Sequence, residues 1–141
     1  MNSEVWGPPF WFTLHTISMT YPLHPNTVTK KKYYELITNL PLFLPHSEIG
    51  NHFAKLLDEY PVEPYLSSRL TFMKWMHFIH NKINLYLGKP EILFSVFLES
   101  YHKLYVPKEI IDKEKNVWNK RYIEISVIAV ILLLVIYYWK K

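Results

Sequence analysis

The 141-residue chain is 50% hydrophobic and 17% aromatic and carries a formal charge of +4. It is therefore too apolar for a disordered chain and too weakly basic for a typical nucleic-acid-binding surface, and we expect no nucleic-acid partner. It has no cysteine, which excludes disulfides, iron–sulfur clusters and thiolate zinc sites from these residues. The length suits one compact domain with an appended segment.

The first predicted helix opens at Pro8-Pro9, because prolines suit a first helical turn, and it ends at about Met19. Tyr21-Pro22 stops it, and a loop follows. The 3–4 spacing of the remaining residues predicts which face is buried. The inward residues of this helix are Trp11, Leu14, His15 and Ser18.

The second helix is predicted from about residue 29 to residue 40, where Pro41 and Pro45 break the chain. Its inward residues are Tyr33, Leu36, Ile37 and Leu40. The third helix is expected to start at His46 or Ser47 and to continue to about residue 60. It should bury Ile49, Phe53, Leu56 and Leu57.

The fourth helix is expected to start after a cap at Ser67 or Ser68 and to end at Gly88, with Pro90 just beyond. Its apolar stripe is Phe72, Met76, Ile79, Ile83 and Leu87. The fifth helix, about residues 91–104, should bury Phe94, Phe97, Tyr101 and Leu104. These segments predict an all-α domain over residues 1–105, a four-helix bundle plus a short fifth helix.

The C-terminal region is polar first and then strongly apolar. Residues 106–121 form a polar juxtamembrane segment, either a linker or a solvated extension of the next helix. Residues 125–139 (ISVIAVILLLVIYYW) span only about 22 Å as a helix, short of the ~30 Å hydrocarbon core. Adding Tyr122 and Ile123, and counting the terminal aromatic residues as an interfacial belt, gives a plausible crossing. The pattern predicts a transmembrane anchor over residues 122–139 rather than a buried core helix.

Basic residues suggest an orientation for this anchor. Lys108, Lys113, Lys115, Lys120 and Arg121 precede it, and Lys140 and Lys141 follow it. The positive-inside tendency then places the folded domain on the cytosolic side. The N-terminal residues have neither the basic start nor the apolar stretch of a signal peptide, so we expect post-translational insertion, as for a tail-anchored protein.

Three stretches carry a resemblance to a known family. Residues 6–16 (WGPPFWFTLHT), followed by Tyr21-Pro22, are similar to W-G-P-x-x-W-x-x-L-H and Y-P. Residues 68–90, which begin SRL and end HNKINLYLGKP, are similar to S-R-x-x-L and H-N-x-V-N-x-x-L-G-K-P. Residues 44–53 (LPHSEIGNHF) lie where the pattern has L-P-C-x-x-C-x-x-H-F. The chain resembles the Erv/ALR family of FAD-linked sulfhydryl oxidases, as a divergent cysteine-less member of the kind found in large DNA viruses.

The resemblance implies an FAD site between the helices. The residues it implies are Trp6, Gly7, Trp11, His15, His52, His77, His80, Asn81, Asn84 and Lys89. Tryptophan can stack on a flavin or adenine ring, histidine and asparagine can hydrogen-bond to it, and lysine can meet a pyrophosphate. Each has an ordinary alternative: core packing for Trp11, a satisfied core histidine at His15 and His80, and helix contacts for the two asparagines.

The resemblance also locates the missing chemistry, because His46 and Ile49 occupy the positions of the family's cysteine pair. A thiol oxidase passes electrons from substrate thiols through its own disulfide to the flavin, and imidazole cannot form the mixed disulfide. No catalytic residue is therefore expected. A zinc site built from His46, His52, His77 and His80 is a weaker alternative without a convincing carboxylate, so we expect no metal. No nucleophile-elbow glycines support a hydrolase.

Two classes of function remain. The first is a catalytically inactive, membrane-anchored structural or adaptor protein, such as a minor capsid protein that links the inner membrane and capsid of a virion. By analogy with the family, we expect a homodimer, and partner contacts could use Tyr33, Tyr34, Tyr65, Tyr101 and Tyr105. The second is an FAD-binding thiol oxidase or flavoprotein that acts in disulfide formation with cysteines supplied by a partner.

Overall fold

The computed structural model describes residues 2–45 and 47–140, and the side chains of all of these except residues 47, 108, 109, 111, 113 and 114. The described residues form six α-helices, two 3₁₀ turns and no strand. The helices are α1 Ser3–Met19, α2 Thr27–Asn39, α3 Ser47–Glu59, α4 Arg69–Tyr86, α5 Phe94–Tyr105 and α6 Lys108–Trp139. The 3₁₀ turns are Leu40–Phe43 and Glu63–Ser67. The predicted all-α fold with an apolar C-terminal helix is confirmed, and His46, a predicted helix start, lies outside the described residues.

The chain divides into two compact units, one ending at Phe94 and the other starting at Ser95. In the first unit α4 lies at the centre and packs against α1, α3 and the second 3₁₀ turn, whereas α2 packs against the two 3₁₀ turns. The core is built from apolar and aromatic side chains that are nearly inaccessible to water. They include Leu14, Tyr21, Ile37, Phe53, Val62, Leu66, Phe72, Trp75, Met76, Ile79 and Ile83.

Helix α1 starts five residues earlier than predicted, with Pro8 and Pro9 inside it. The start is set by Asn2, whose side-chain oxygen accepts a hydrogen bond from the backbone N–H of Glu4 at 2.9 Å. A proline removes the N–H that would bond to the carbonyl four residues earlier. Here those carbonyls belong to residues 4 and 5, which are exposed, so the loss falls at the solvated end of the helix.

Both ends of α4 follow the prediction. The Ser68 hydroxyl accepts a hydrogen bond from the backbone N–H of Thr71, and the Thr71 hydroxyl accepts one from the N–H of Ser68, each at 3.2 Å. This reciprocal pair is a capping box with threonine in the place usually taken by glutamate. Gly88 follows the helix with φ of 72°, a left-handed conformation that glycine adopts without steric cost.

Polar contacts join the loop after α1 to the start of α4. The Tyr21 hydroxyl donates to the Leu66 carbonyl at 2.9 Å, and the Arg69 guanidinium donates from Nε to the Tyr21 carbonyl. Tyr21 is fully buried and lies edge-on to Phe72, with ring centroids 5.1 Å apart. Trp75 is also buried and donates from Nε1 to a backbone carbonyl, that of Tyr60. The hydrogen bond between Arg69 and Tyr21 therefore joins the S-R motif to the Y-P motif, with only Tyr21 of the four residues in the core.

Several predicted inward residues are exposed. Leu36, Leu87 and Leu104 are 41%, 36% and 66% exposed, so these predictions were wrong. Leu36 is exposed because α2 packs against short 3₁₀ turns. These turns cover Ile37 but not the neighbouring Leu36. Leu87 is the cap residue after α4 and Leu104 lies in the last turn of α5, so both are at helix ends.

The tyrosines that sequence analysis assigned to a partner surface divide into two groups. Tyr34, Tyr65 and Tyr105 are exposed, as such a surface requires. Tyr101 is buried, and Tyr33 is half-buried, with its ring edge-on to Tyr21 and Phe72. The latter two are therefore removed from the candidate surface, because packed rings within a unit leave little area for a partner.

Helix α6 is continuous over its 32 residues and is exposed along its length where side chains are described. It includes most of the predicted polar segment, which is therefore a helical extension over residues 108–121 rather than a flexible linker. The segment Lys115–Trp139 is long and apolar enough to cross a membrane, and none of it is buried. An apolar helix with no protein cover is what a membrane-spanning segment presents to lipid.

Candidate functional site

Helices α1 and α4 bring three aromatic side chains together, Trp11, His15 and His80, which we call the ring cluster. Trp11 and His15 are one helical turn apart and share a face of α1. The indole of Trp11 stacks on the His80 imidazole with centroids 3.9 Å apart and planes 10° apart. His15 Nε2 and His80 Nδ1 are 2.9 Å apart, so one of these nitrogens donates and the other accepts.

Burial keeps the histidines of this region neutral. It lowers the pKa of His15 to about 3, with smaller contributions from His80 and His77. It lowers the pKa of His80 to about 4, helped by His77 and by Lys89. Burial also lowers the pKa of His77, although Ile92 and Glu91 oppose the shift. At neutral pH the ring cluster therefore offers uncharged imidazoles, each with one donor and one acceptor nitrogen.

The two asparagines predicted for the site shape the loop after α4. The Asn81 side chain donates to the Ile92 carbonyl at 2.9 Å and accepts from the Ile92 N–H at 3.1 Å. Asn84 is buried, and its backbone carbonyl accepts from the Lys89 N–H at 2.8 Å. These contacts hold the loop that carries Lys89, whose exposed side chain is close enough to His80 to influence its titration.

The remaining predicted site residues lie in different surroundings. His52 stacks on Tyr86, with centroids 4.0 Å apart, and so makes a second imidazole stack that links α3 to the end of α4. Sequence analysis did not identify Tyr86, because an exposed aromatic near a helix end carries no distinguishing pattern. His77 lies edge-on to Phe94 at 5.3 Å, one turn of α4 before His80.

Trp6 and Gly7 lie near the start of α1. The Trp6 ring is edge-on to Phe10, and its Nε1 is buried without a hydrogen-bond partner among residues 2–45 and 47–140. A Cβ added at Gly7 would meet nothing within 4 Å. A buried N–H donor and open space beside the same turn are features that a bound molecule could use.

The start of α3, where the family pattern has its cysteine pair, is tightly packed and apolar. Ile49 is buried at 6% exposure, and the neighbouring Gly50 approaches the first 3₁₀ turn closely. A Cβ added at Gly50 would lie 2.9 Å from the Pro41 carbonyl oxygen. His46 lies outside the described residues. At the second cysteine position, a hydrocarbon side chain therefore replaces the reactive sulfur.

In the part of the chain that the structure describes, no group of three or more His, Cys, Asp or Glu side chains converges as metal ligands would. The expectation of no metal stays a prediction. A separate cavity of about 440 Å³ lies beside α2 and α3. Its lining contains none of the residues predicted for the flavin site: Tyr34, Thr38, Pro41, Ala54, Leu57, Asp58, Pro61 and Val62.

The residues of the ring cluster fit a cofactor with flat, uncharged rings and a phosphate. They provide an indole face, two neutral imidazoles and, on the following loop, the cation of Lys89. The unpartnered Trp6 Nε1 adds a donor near the start of the same helix. Fold and site together define a small helical-bundle domain with an aromatic and imidazole cluster between α1 and α4.

The sequence profile of the Erv1 / Alr family matches residues 8–103, and the chain belongs to this family. It is similar to the probable FAD-linked sulfhydryl oxidase R368 of Acanthamoeba polyphaga mimivirus, with 32% identity over 110 residues, which cover 77% of each chain. It is also similar to the putative FAD-linked sulfhydryl oxidase 347L of Invertebrate iridescent virus 6. Here the identity is 33%, over 68% of this chain and 91% of that protein.

Solved structures agree with this assignment. The yeast Erv1 core superposes with a TM-score of 0.61 and 27% identity, over 65% of this chain and 76% of that one. The FAD-binding domain of Erv1 from Saccharomyces cerevisiae gives a TM-score of 0.68 over 75% of this chain and 99% of that one. At 24% identity, this second match supports the fold alone.

Proposed function

We propose that this protein is a non-catalytic member of the Erv1 / Alr family that acts as a membrane-anchored structural or adaptor protein. The observation that carries the proposal is the absence of cysteine from all 141 residues. Converting two thiols to a disulfide releases two electrons and two protons, and a cysteine pair in the oxidase is the relay that takes them to the flavin. In this chain buried Ile49 stands at one relay position and His46 at the other, so the relay has no sulfur.

The architecture supports the adaptor role. Helix α6 supplies an apolar segment suited to a single membrane crossing at residues 122–139, with the bundle at its N-terminal side. Two similar proteins come from large DNA viruses, and on that basis we propose a virion component between the inner membrane and the capsid. The positive-inside tendency assigns the bundle to the cytosolic side during insertion. A homodimer, with exposed Tyr34 and Tyr65 available for contacts, completes the proposal.

A second candidate function is favoured by the ring cluster. Trp11, His15 and His80 would hold the rings of FAD, and Lys89 would meet its pyrophosphate. Bound FAD would supply a two-electron acceptor. The neutral imidazoles would orient it through hydrogen bonds, and substrate thiols would have to reach it through cysteines of a partner protein. In this alternative the protein holds the cofactor, and a partner protein supplies the cysteines.

The test uses the full chain purified in detergent. We expect no oxygen consumption with dithiothreitol beyond that of free FAD at the same concentration, because the relay is missing. Dithiol-dependent turnover above free flavin would overturn the non-catalytic proposal. Flavin absorbance that co-purifies with the protein would support the second candidate, and a colourless folded protein would remove it.

The anchor is tested by extraction. Membranes that contain the full chain are washed with alkaline carbonate, and the protein should remain with the lipid pellet. The matched control is the chain ended after residue 106, which should appear in the supernatant as a folded helical protein. Release of the full chain by carbonate would contradict the anchor and leave the cofactor question unaffected.

A further inference from the structure

Two turns of α6, residues 115–122, combine basic and aromatic side chains immediately before the apolar segment. Lys115, Lys120 and Arg121 are its basic residues, and Trp118 and Tyr122 its aromatic ones. We call these five residues the collar. All of them are exposed. Residues 115–122 contain no acidic residue; Glu114 directly precedes them, and Glu124 follows them by two residues.

Four of the five collar side chains lie on one face of α6, and Lys120 lies on another. The Arg121 guanidinium lies over the Trp118 ring, 5.9 Å from its centroid, and the Trp118 and Tyr122 rings are 6.3 Å apart. With 100° per residue, positions 115, 118, 121 and 122 fall within about one third of the helix circumference. Cation and ring thus share a face, as in side chains that extend between hydrocarbon and headgroups.

Helix length puts the collar at the edge of a bilayer. About 20 helical residues cross a ~30 Å hydrocarbon core, and that count taken back from Trp139 reaches Lys120. Tyr137, Tyr138 and Trp139 would then occupy one interface and the collar the other, as in aromatic belts. Trp118 and Lys115 fall in the next turn and a half, at headgroup depth. Glu124 lies one turn further in, where Lys120 and Arg121 are its neighbours at i−4 and i−3.

We infer that the collar is a binding surface for the headgroups of anionic phospholipids. The inference rests on the membrane anchor of the proposed function and adds a lipid preference to it. The three exposed cations outnumber the two acidic residues that flank the collar, Glu114 and Glu124, and phosphatidylserine carries a net negative charge that phosphatidylcholine lacks. The aromatic pair fixes the depth of the helix, so the cations remain level with the headgroup phosphates and carboxylates.

The experiment measures which lipid lies beside Trp118. The full chain with the background substitution Trp139→Phe is reconstituted into phosphatidylcholine vesicles, so Trp118 is the only tryptophan left on α6. A small fraction of phosphatidylserine or phosphatidylcholine, spin-labelled near the headgroup end of the acyl chain, then quenches the fluorescence. We expect labelled phosphatidylserine to associate severalfold more strongly than labelled phosphatidylcholine, with the difference shrinking at high salt because screening weakens it.

Two triple variants make the test specific. Lys115→Gln, Lys120→Gln and Arg121→Gln together should reduce the phosphatidylserine preference to near unity. The matched control Lys30→Gln, Lys31→Gln and Lys32→Gln removes the same charge from exposed positions of α2 and should leave the preference unchanged. Circular dichroism checks that both variants keep their helix content.

The outcomes separate this inference from the anchor itself. Equal quenching by the two labelled lipids, or a preference that survives the loss of all three collar cations, overturns the lipid preference and leaves the anchor standing. No quenching by either lipid means that α6 does not enter the bilayer, which overturns the anchor and the inference together.

Discussion

The family resemblance assigns the cofactor to the ring cluster and the reactive cysteines to the start of α3, and these two regions differ in this chain. In the ring cluster, Trp11, His15 and His80 are stacked and hydrogen-bonded, with one neutral imidazole against an indole face. At the start of α3, buried Ile49 and close-packed Gly50 replace the reactive segment with hydrocarbon and backbone contact. The difference teaches that the ring cluster and the residues at the cysteine positions can change independently, because different helices supply them.

Restoring sulfur at α3 is the strongest test of that comparison. We expect His46→Cys with Ile49→Cys to raise dithiol-dependent oxygen uptake by more than about tenfold over the native chain, because the disulfide relay is the missing part. The measurement is made with added FAD in an oxygen electrode. His46→Ser with Ile49→Ser is the control and should stay at the level of free flavin. A flavin-loaded cysteine variant without turnover would show that the ring cluster no longer places a flavin beside α3.

Replacing Trp11 tests the ring cluster, the other region of this comparison. Trp11→Ala should lower the free energy of unfolding by about 3 kcal/mol, since a half-buried aromatic ring and its stacking partner lose contact. It should also abolish retention of added FAD on a desalting column. Urea denaturation followed by circular dichroism gives the stability. Tyr65→Ala is the control, because it removes an exposed ring that is not among the residues predicted for the site and should leave FAD retention intact.

The ring cluster should make stability depend on pH. The folded-state pKa values of His15 and His80, about 3 and about 4, lie below the ordinary value of 6.5. Between pH 6.5 and pH 4 the unfolded chain therefore binds more protons, so stability falls as pH falls through this window, by at most about 1.4 kcal/mol per pH unit for each histidine. Well above pH 6.5, where both histidines are neutral in the folded and in the unfolded chain, these two residues contribute no slope.

Urea midpoints across that pH range measure the slope. His15→Gln and His80→Gln should each flatten it, whereas His24→Gln, in an exposed loop, should leave it unchanged. An identical slope in the native chain and in the double variant His15→Gln with His80→Gln would assign the pH dependence to other groups.

Substitutions at two glycines test how tightly the chain is packed at the start of α3 and near the start of α1. Gly50→Ala should destabilise the protein by roughly 1 kcal/mol or more, because its Cβ would press on the rigid Pro41 carbonyl. Gly7→Ala should change stability by less than about 1 kcal/mol, in the stabilising direction, because the Cβ enters open space and alanine favours a helix. Thermal melts of both variants check the difference. A Gly50→Ala variant as stable as the native chain would mean that α3 can shift away from the 3₁₀ turn.

Much of the fold was predictable because its signals are local. The cap at Ser68, the left-handed Gly88 and the period of α4 each follow from neighbouring residues. The start of α1 was not, since Pro8-Pro9 resembles a first turn and the decisive cap is Asn2, six residues earlier. Leu36 is exposed because α2 packs against short 3₁₀ turns. The periodicity of α2 predicts which residues share a face, but not how much of that face its neighbours cover.

The candidate site, too, was predictable from the sequence only in part. Family spacing singled out Trp11, His15 and His80, and the structure brings them into contact. Their hydrogen bond and stacking could not be read from spacing, because they depend on how α1 and α4 are rotated against each other. The pairing of Asn81 with Ile92 and of His52 with Tyr86 likewise needs the path of the chain after α4.

The short connection between α5 and α6 has a mechanical consequence. Only Val106 and Pro107 separate the two helices, and α6 is helical from Lys108 onward. At the standard rise per residue, residues 108–119 then form a helical rod of about 18 Å before the apolar segment. A continuous helix bends little over this length, so α6 would keep its own first turn, at Lys108, at a nearly fixed distance from its apolar segment.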